Sequence, residues 1–117
     1  MDKTETQELL LTSSSTLEEA QKTKISGVDF SVVLNESGDT TFWQTTDSRF
    51  ITTEGYRVGN SWNDIPNELK SKLIIIPGWG YLINLASGWT IAFCEGRTCT
   101  GEKPSADSKI DWIHKKK

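Results

Sequence analysis

The sequence has few of the groups on which most enzymes rely. Its 117 residues include one histidine, His114, and they contain no phosphate-binding loop, GxGxxG fingerprint or EF-hand spacing. A catalytic triad needs a base, and His114 stands beside Lys115, Lys116 and Lys117, which is an unpromising place for one. A zinc site needs about four ligands, which one histidine and two cysteines do not supply. We therefore expect no enzyme activity, no metal and no cofactor.

Long apolar stretches and an excess of basic charge are also missing. The longest apolar runs, such as Leu73 to Ile76, fall far short of the ~20 residues that a membrane helix needs. Residues 1–8 are polar and acidic, which is not typical of a signal peptide. The net charge is −3, and residues 115–117 form the only basic run, so nucleic acid is not an expected partner. The three lysines are expected to be a solvated tail.

Two cysteines, Cys94 and Cys99, enclose a four-residue segment that contains Gly96. A chain that reverses through this segment brings the two side chains within disulfide range. Because a redox-active pair usually has C-x-x-C spacing, the pattern favours a structural disulfide over two free thiols. A disulfide would indicate a periplasmic or secreted protein whose export signal or lipid anchor is absent from this sequence. A cytoplasmic location is the alternative.

The first quarter of the chain differs in composition from the rest. Residues 1–24 are rich in Thr, Ser, Glu and Lys and have no aromatic residue, which predicts a tail or tether. Within it, Thr16 and Glu19 have the spacing of a capping box and predict a short helix over 16–22. A single folded domain is expected over residues 25–117.

Strand patterns dominate that domain. Apolar residues alternate from Val28 to Leu34, a turn cluster follows at 35–39, and residues 40–46 are rich in β-branched and aromatic types. This succession predicts a β-hairpin. Short apolar segments at 73–76, 80–86 and 89–93 predict a three-stranded meander, and the alternation of Ile110, Trp112 and His114 predicts a last strand.

Pro66 determines where a helix can begin between the hairpin and the meander. Capping by Ser61 would place Pro66 one turn inside the helix, where its ring clashes with a carbonyl group. Capping by Asp64 places Pro66 in the first turn, so we predict a helix from residue 65 to about Lys72. The predicted class is therefore α+β, with an antiparallel sheet, one short central helix and a short N-terminal helix.

Aromatic residues supply the candidate binding sites. Trp79 lies between Gly78 and Gly80, an arrangement that leaves a ring open for stacking on a sugar or a protein. The alternative, which we favour, is a β-bulge whose glycines allow a bend while Trp79 fills the core. Residue types typical of interface hot spots give a candidate patch, which consists of Tyr56, Arg57, Trp62, Trp79 and Tyr81.

Two segments resemble small bacterial exported or lipoprotein-type domains of unknown function. The first is a T-x-x-G-x-x-V-G-x-S turn from Thr52 to Ser61, and the second is a G-W-G-Y…L-x-S-G-W hairpin from Gly78 to Trp89. These matches rest on glycines and aromatics, so the resemblance implies a fold and a compartment and assigns no catalytic residue. Asn60 stands where such domains usually have Asp, and Pro66 interrupts their usual helix.

Three functions fit these observations. The first is a small extracytoplasmic module that binds another protein, as an inhibitor or an immunity-type protein. The second is a glycan- or peptidoglycan-binding module that stacks sugars on Trp79 and Tyr81. The third, ranked last, is a hydrolase that uses carboxylates such as Glu54 and Asp64.

Overall fold

An antiparallel sheet forms most of the molecule. The computed structural model describes residues 7–12 and 16–117. Within these residues the sheet has eight strands. The strands are β1 (Gln7–Leu11), β2 (Leu17–Ile25), β3 (Val28–Leu34), β4 (Thr40–Thr45), β5 (Ile74–Ile76), β6 (Gly80–Asn84), β7 (Thr90–Phe93) and β8 (Trp112–Lys116).

The strand order across the sheet is β1-β2-β3-β4-β8-β7-β6-β5. The last strand therefore lies in the middle, where β8 pairs with β4 on one side and with β7 on the other. Helix in residues 7–12 and 16–117 is limited to a 3-10 turn at Trp62–Asp64 and a single α-turn, α1, at Asn67–Lys70. The predicted α+β class with a central helix is wrong, because the sheet supplies nearly all of the regular structure.

The predicted N-terminal helix over 16–22 is also wrong, because Leu17–Ile25 is strand β2. Only Ala20 is buried in this strand, so its side chains carry no alternating pattern. The backbone ladders to β1 and β3 hold it instead, and pairing of this kind overrides a local capping signal. The predicted tail falls partly on residues 1–6 and 13–15, outside the described residues, and the sheet itself begins at Gln7.

The predicted helix from residue 65 to Lys72 is replaced by two shorter pieces. Ser61 caps the 3-10 turn, and its side chain and that of Asp64 form a capping box. Ile65 and Pro66 are extended, and α1 begins only after them. The predicted Asp64 cap is therefore wrong, because the N-cap residue of α1 is Pro66 and no side chain caps it. Ser61 is the residue that caps, and the ring of Pro66 prevents one helix from continuing beyond that turn.

The predicted hairpin and meander are confirmed by the strand register. In the hairpin, Val32 lies opposite Trp43, and Asn35 accepts backbone hydrogen bonds that hold the turn. A shift in register after Val33 interrupts the predicted alternation, so Val33 is buried and Leu34 is exposed. In the meander, β5, β6 and β7 pair in sequence order.

Each face of the sheet carries its own core. Cross-strand neighbours share a face, and successive residues alternate between faces. The Tyr81 face is the one that carries the buried side chains of Tyr81, Ile83, Ile91, Phe93 and Ile113. The Trp79 face is the opposite one, where Trp79 packs with Ala20, Val33, Phe42, Leu82 and Ala92.

The long connection between β4 and β5 covers the Tyr81 face. Its apolar side chains pack against that core, namely Phe50, Tyr56, Val58, Trp62, Ile65, Leu69 and Leu73. Backbone hydrogen bonds tie Gly59 and Asn60 to Ile110, and Trp62 to Ser108. The connection is therefore held in place by apolar packing on the Tyr81 face and by backbone hydrogen bonds to the segment before β8.

Cys94 and Cys99 form a disulfide, as predicted. Gly96 has a φ of 78° inside the small loop, a conformation that favours glycine. Among the described residues, no helix is long and apolar enough to cross a bilayer.

Candidate functional site

The structure separates the residues of the predicted binding patch. Tyr81 is only 4% exposed, and Tyr56 and Trp62 pack against the same core on the Tyr81 face. Trp79 is 3% exposed and belongs to the core of the opposite face, while Arg57 is exposed. Trp79 and Tyr81 thus offer no pair of open ring faces on which a sugar could stack.

Four other charged residues, among them the predicted carboxylates Glu54 and Asp64, have local structural contacts. Arg49 donates to the Asp47 carboxylate at 2.6 Å, and these hydrogen bonds hold the pKa of Asp47 far below its usual range. Burial raises the pKa of Glu54, but hydrogen bonds from Ser87 outweigh it and lower that pKa. Asp64 accepts from the backbone amide of Ser61.

A row of polar side chains crosses the Trp79 face. Each member lies directly opposite the next on six consecutive strands, from β2 to β6 across the sheet. The row consists of Lys22, Ser31, Gln44, His114, Thr90 and Asn84. The Trp79 face therefore carries a line of polar side chains as well as an apolar core, which makes it the candidate surface for a site.

Aromatic rings cover the middle of this row. The ring of His114 is stacked against Trp79 at 5.1 Å and against Phe42 at 5.3 Å, measured between ring centroids. Trp79 reaches the row from the β5–β6 turn, where Gly78 has a φ of 78°. A Cβ atom on Gly80 would lie 3.0 Å from the Trp112 ring, so glycine at this position permits the close packing.

His114 is neutral near pH 7. Burial, followed by the nearby charge of Lys116, lowers the pKa of His114 to about 4. The indole N–H of Trp112 donates to Nδ1 of His114 at 2.9 Å. Since Nδ1 is the acceptor, the proton of the neutral ring is on Nε2.

A cleft of about 340 Å³ opens beside this stack, and we call it the Trp79 cleft. Its apolar wall comes from Ile74, Ile76 and Leu82. The polar groups that line it are Trp79, Asn84, Thr90, His114 and Lys116. The Thr90 hydroxyl donates to Oδ1 of Asn84 at 2.6 Å, so the Asn84 amide N–H groups are left for other partners.

Two of the three terminal lysines belong to the sheet and not to a tail, whereas Lys117 follows the strand and is exposed. Lys115 and Lys116 belong to β8 and point to opposite faces, where Lys115 lies over the Trp89 ring at 5.7 Å and Lys116 over the Trp79 ring at 5.0 Å. Sequence reasoning missed both, although the alternation that begins at Trp112 continues through them. If the strand is continued by two residues beyond His114, Lys116 falls on the same face as His114.

A larger cavity of about 500 Å³ lies at the other end of the Trp79 face. It is lined by Lys24 and Asp29, which form an ion pair at 2.9 Å, and by Thr45, whose hydroxyl donates to the Asp29 carbonyl. Because these groups already have partners, the cavity is a weaker candidate site than the Trp79 cleft.

The free edge of the sheet at β5 is apolar. Ile74 and Ile75 are 42% and 54% exposed, and within the described residues β5 pairs only with β6. Natural sheets usually protect an edge with charged side chains or proline, because unpaired backbone groups attract other strands. The β5 edge has no such charge within the strand itself.

The described residues contain no cluster of His, Cys, Asp or Glu that could hold a metal ion. The residues that line the Trp79 cleft include no carboxylate, and the thiols are in the disulfide. The arrangement can therefore donate hydrogen bonds and stack against a bound group.

No known protein family matches the chain. No curated protein matches it either. Among solved structures, it is similar to the crystal structure of the uncharacterized protein yfeY from Escherichia coli, with a TM-score of 0.64 and 15% sequence identity. The match covers 97% of this chain and 82% of that one. At this identity the similarity concerns the fold alone.

Proposed function

We propose that this chain is an extracytoplasmic protein-binding module of the inhibitor or immunity type, which holds an extended segment of its partner at the free edge of β5. The observation that carries the proposal is the exposure of Ile74 and Ile75 on an edge strand that has no second neighbour among the described residues. A partner strand would gain backbone hydrogen bonds from the edge and apolar contacts from both isoleucines.

Charge next to the edge favours an acidic flank on the partner segment. The exposed Lys72 lies two residues before β5, and Lys70 ends α1 just before it, where it lies over the Trp62 ring. Complementary charge improves both the rate and the register of association. The expected partner segment is therefore extended, apolar at alternate positions, and acidic at the end that faces these lysines.

The Cys94–Cys99 disulfide supports the extracytoplasmic part of the proposal. Structural disulfides persist in the periplasm and outside the cell, whereas cytoplasmic thiols are kept reduced.

A display library of random peptides, selected against the oxidised protein, tests the proposal. The selected peptides should be extended and apolar, and Ile75→Lys should weaken their binding about tenfold or more in calorimetry, which corresponds to ~1.4 kcal/mol. Ile51→Lys is the matched control, because Ile51 is an equally exposed isoleucine in the β4–β5 connection. Binding to this control should stay within about twofold of wild type.

Two outcomes would overturn the proposal. The first is equal loss of binding in both variants. The second is a wild-type dimer in sedimentation that Ile75→Lys dissociates, since a second copy of the chain would then occupy the edge.

A further inference from the structure

Two buried residues that line the Trp79 cleft, Trp79 and His114, each carry a ring N–H without an acceptor among the described residues. The indole N–H of Trp79 and Nε2–H of His114 have no hydrogen-bond partner within the described residues, although both side chains are only 3% exposed. Buried polar groups in folded proteins are nearly always paired, so a pair of unsatisfied donors at one cavity requires an explanation.

The cleft is also basic in a chain that is acidic as a whole. The sequence has 16 acidic and 13 basic residues, yet no Asp or Glu lines the cleft. Lys116 lies over the Trp79 ring and forms no ion pair with a described residue. All three groups donate, so the cleft is complementary to a group that only accepts and carries negative charge.

Part of the cleft lining is apolar. Ile74, Ile76 and Leu82 form it, and the whole cleft measures about 340 Å³. That volume is at the lower end of the range of about 300–1,000 Å³ for ligand pockets. A bare inorganic anion would leave the apolar wall unused, and a large ligand would not fit.

We infer that the Trp79 cleft binds a carboxylate carried on a compact apolar body. The carboxylate oxygens accept hydrogen bonds from Trp79, His114 and Lys116, while the apolar body packs against Ile74 and Leu82. The source of the carboxylate is a free monocarboxylic acid or the C-terminus of a peptide, since both present the same chemistry. The inference does not depend on the proposed function, because it rests on Trp79, His114 and Lys116. The two proposals share Ile74, but Ile75, which the edge test changes, does not line the cleft.

Calorimetry with octanoate and octanamide tests the inference. The two probes share an apolar chain and differ in charge, and octanoate should bind about tenfold tighter or more, as expected for charge-assisted hydrogen bonds. Lys116→Met should remove most of this difference. Lys115→Met is the matched control, since Lys115 lies on the opposite face over Trp89, and it should bind octanoate like wild type.

A second measurement applies to the wild-type protein alone. Labelled indole nitrogens report each tryptophan separately in NMR spectra, and octanoate should shift the N–H signal of Trp79 and leave that of Trp89 in place. Measurable binding of octanoate and octanamide with equal affinity, or equal loss of octanoate binding in the two lysine variants, would overturn the inference.

Peptides distinguish the two sources of the carboxylate. A short apolar peptide is compared with its C-terminally amidated form in the same calorimetric assay. Preference for the free carboxylate over the amide, with no binding of octanoate, assigns the cleft to a peptide C-terminus. Binding of octanoate, with no preference for the free peptide over its amide, assigns the cleft to a free acid. If neither octanoate nor the free peptide binds, the inference is contradicted, while the β5 edge proposal is left intact.

Discussion

The two halves of the sheet are stabilised in different ways. In β2 a single residue of nine, Ala20, is buried, and the strand is held by backbone ladders to β1 and β3. In β6 four of five residues are buried, and in β7 all four are. One half thus depends on main-chain pairing and the other on two apolar cores, although both have the same antiparallel geometry.

This difference indicates where stability is concentrated. Burial of apolar surface contributes about 25 cal/mol per Å², whereas an average backbone hydrogen bond makes a net contribution of ~1 kcal/mol. We therefore expect β6, β7 and β8 to unfold with the whole molecule, and β1 and β2 to open more readily.

The most severe test of the comparison is truncation of a side chain in each half. Phe93 is fully buried in β7 and packs edge-on against Trp62 at 5.2 Å, so Phe93→Ala should cost about 3–5 kcal/mol of unfolding free energy. Leu17→Ala in β2 removes a side chain that is 59% exposed and should change stability by less than about 0.5 kcal/mol. Urea denaturation measures both, and similar costs would contradict the division between the two halves.

A pH titration tests the strand that joins the halves. His114 in β8 has a folded-state pKa of about 4, below its ordinary value of 6.5, so the unfolded chain takes up a proton first as the pH falls. Stability supplied by the neutral ring is therefore complete above pH 6.5 and is lost progressively towards pH 4, by up to about 3 kcal/mol.

The histidine contribution can be separated from that of the carboxylates. Urea midpoints at neutral and acid pH should fall less for His114→Gln than for wild type, because the variant lacks the titrating ring. An unchanged difference between the two midpoints would show that His114 does not supply this pH dependence.

Loss of the disulfide should cost less than either the truncation of Phe93 or the protonation of His114. Cys94→Ser combined with Cys99→Ser should cost about 2 kcal/mol, because the crosslink closes only a short loop in the unfolded chain. The loss should appear as faster hydrogen exchange near residues 94–111, with exchange in β2 and β3 unchanged. Reduced wild-type protein is the control and should behave like the variant, and faster exchange in β2 would contradict the prediction.

The sequence predicts the parts of this fold in which one face of a strand is buried and the other is not. In β3, Phe30 and Val32 alternate with polar residues, and the turn at 35–39 is rich in Asn, Gly and Asp. The cysteine spacing likewise limits the disulfide to a local loop. These signals depend on near neighbours in the chain, and sequence patterns report near neighbours directly.

The wrong and missing predictions concern features that depend on residues far apart in sequence. Strand β2 has no buried face to give a pattern, so the local signal at Thr16 and Glu19 predicted a helix where long-range pairing makes a strand. The Trp79 cleft is assembled from β5, β6, β7 and β8, and pairing with β7 brings His114 and Lys116 of β8 to it. No local pattern reports that His114 faces Gln44, although the alternation of Trp112 and His114 was visible.

The central position of β8 has a consequence for the order in which the molecule assembles. β1–β4 and β5–β7 can each pair from segments that are contiguous in the chain, but no strand pairing joins the two groups until β8 has been synthesised and has inserted between β4 and β7. The growing chain therefore exposes the edges of β4 and β7 until β8 has paired with both. Because that insertion depends on contacts distant in sequence, we expect it to limit the folding rate, and a disruption in β8 should slow folding more than an equal disruption in β1.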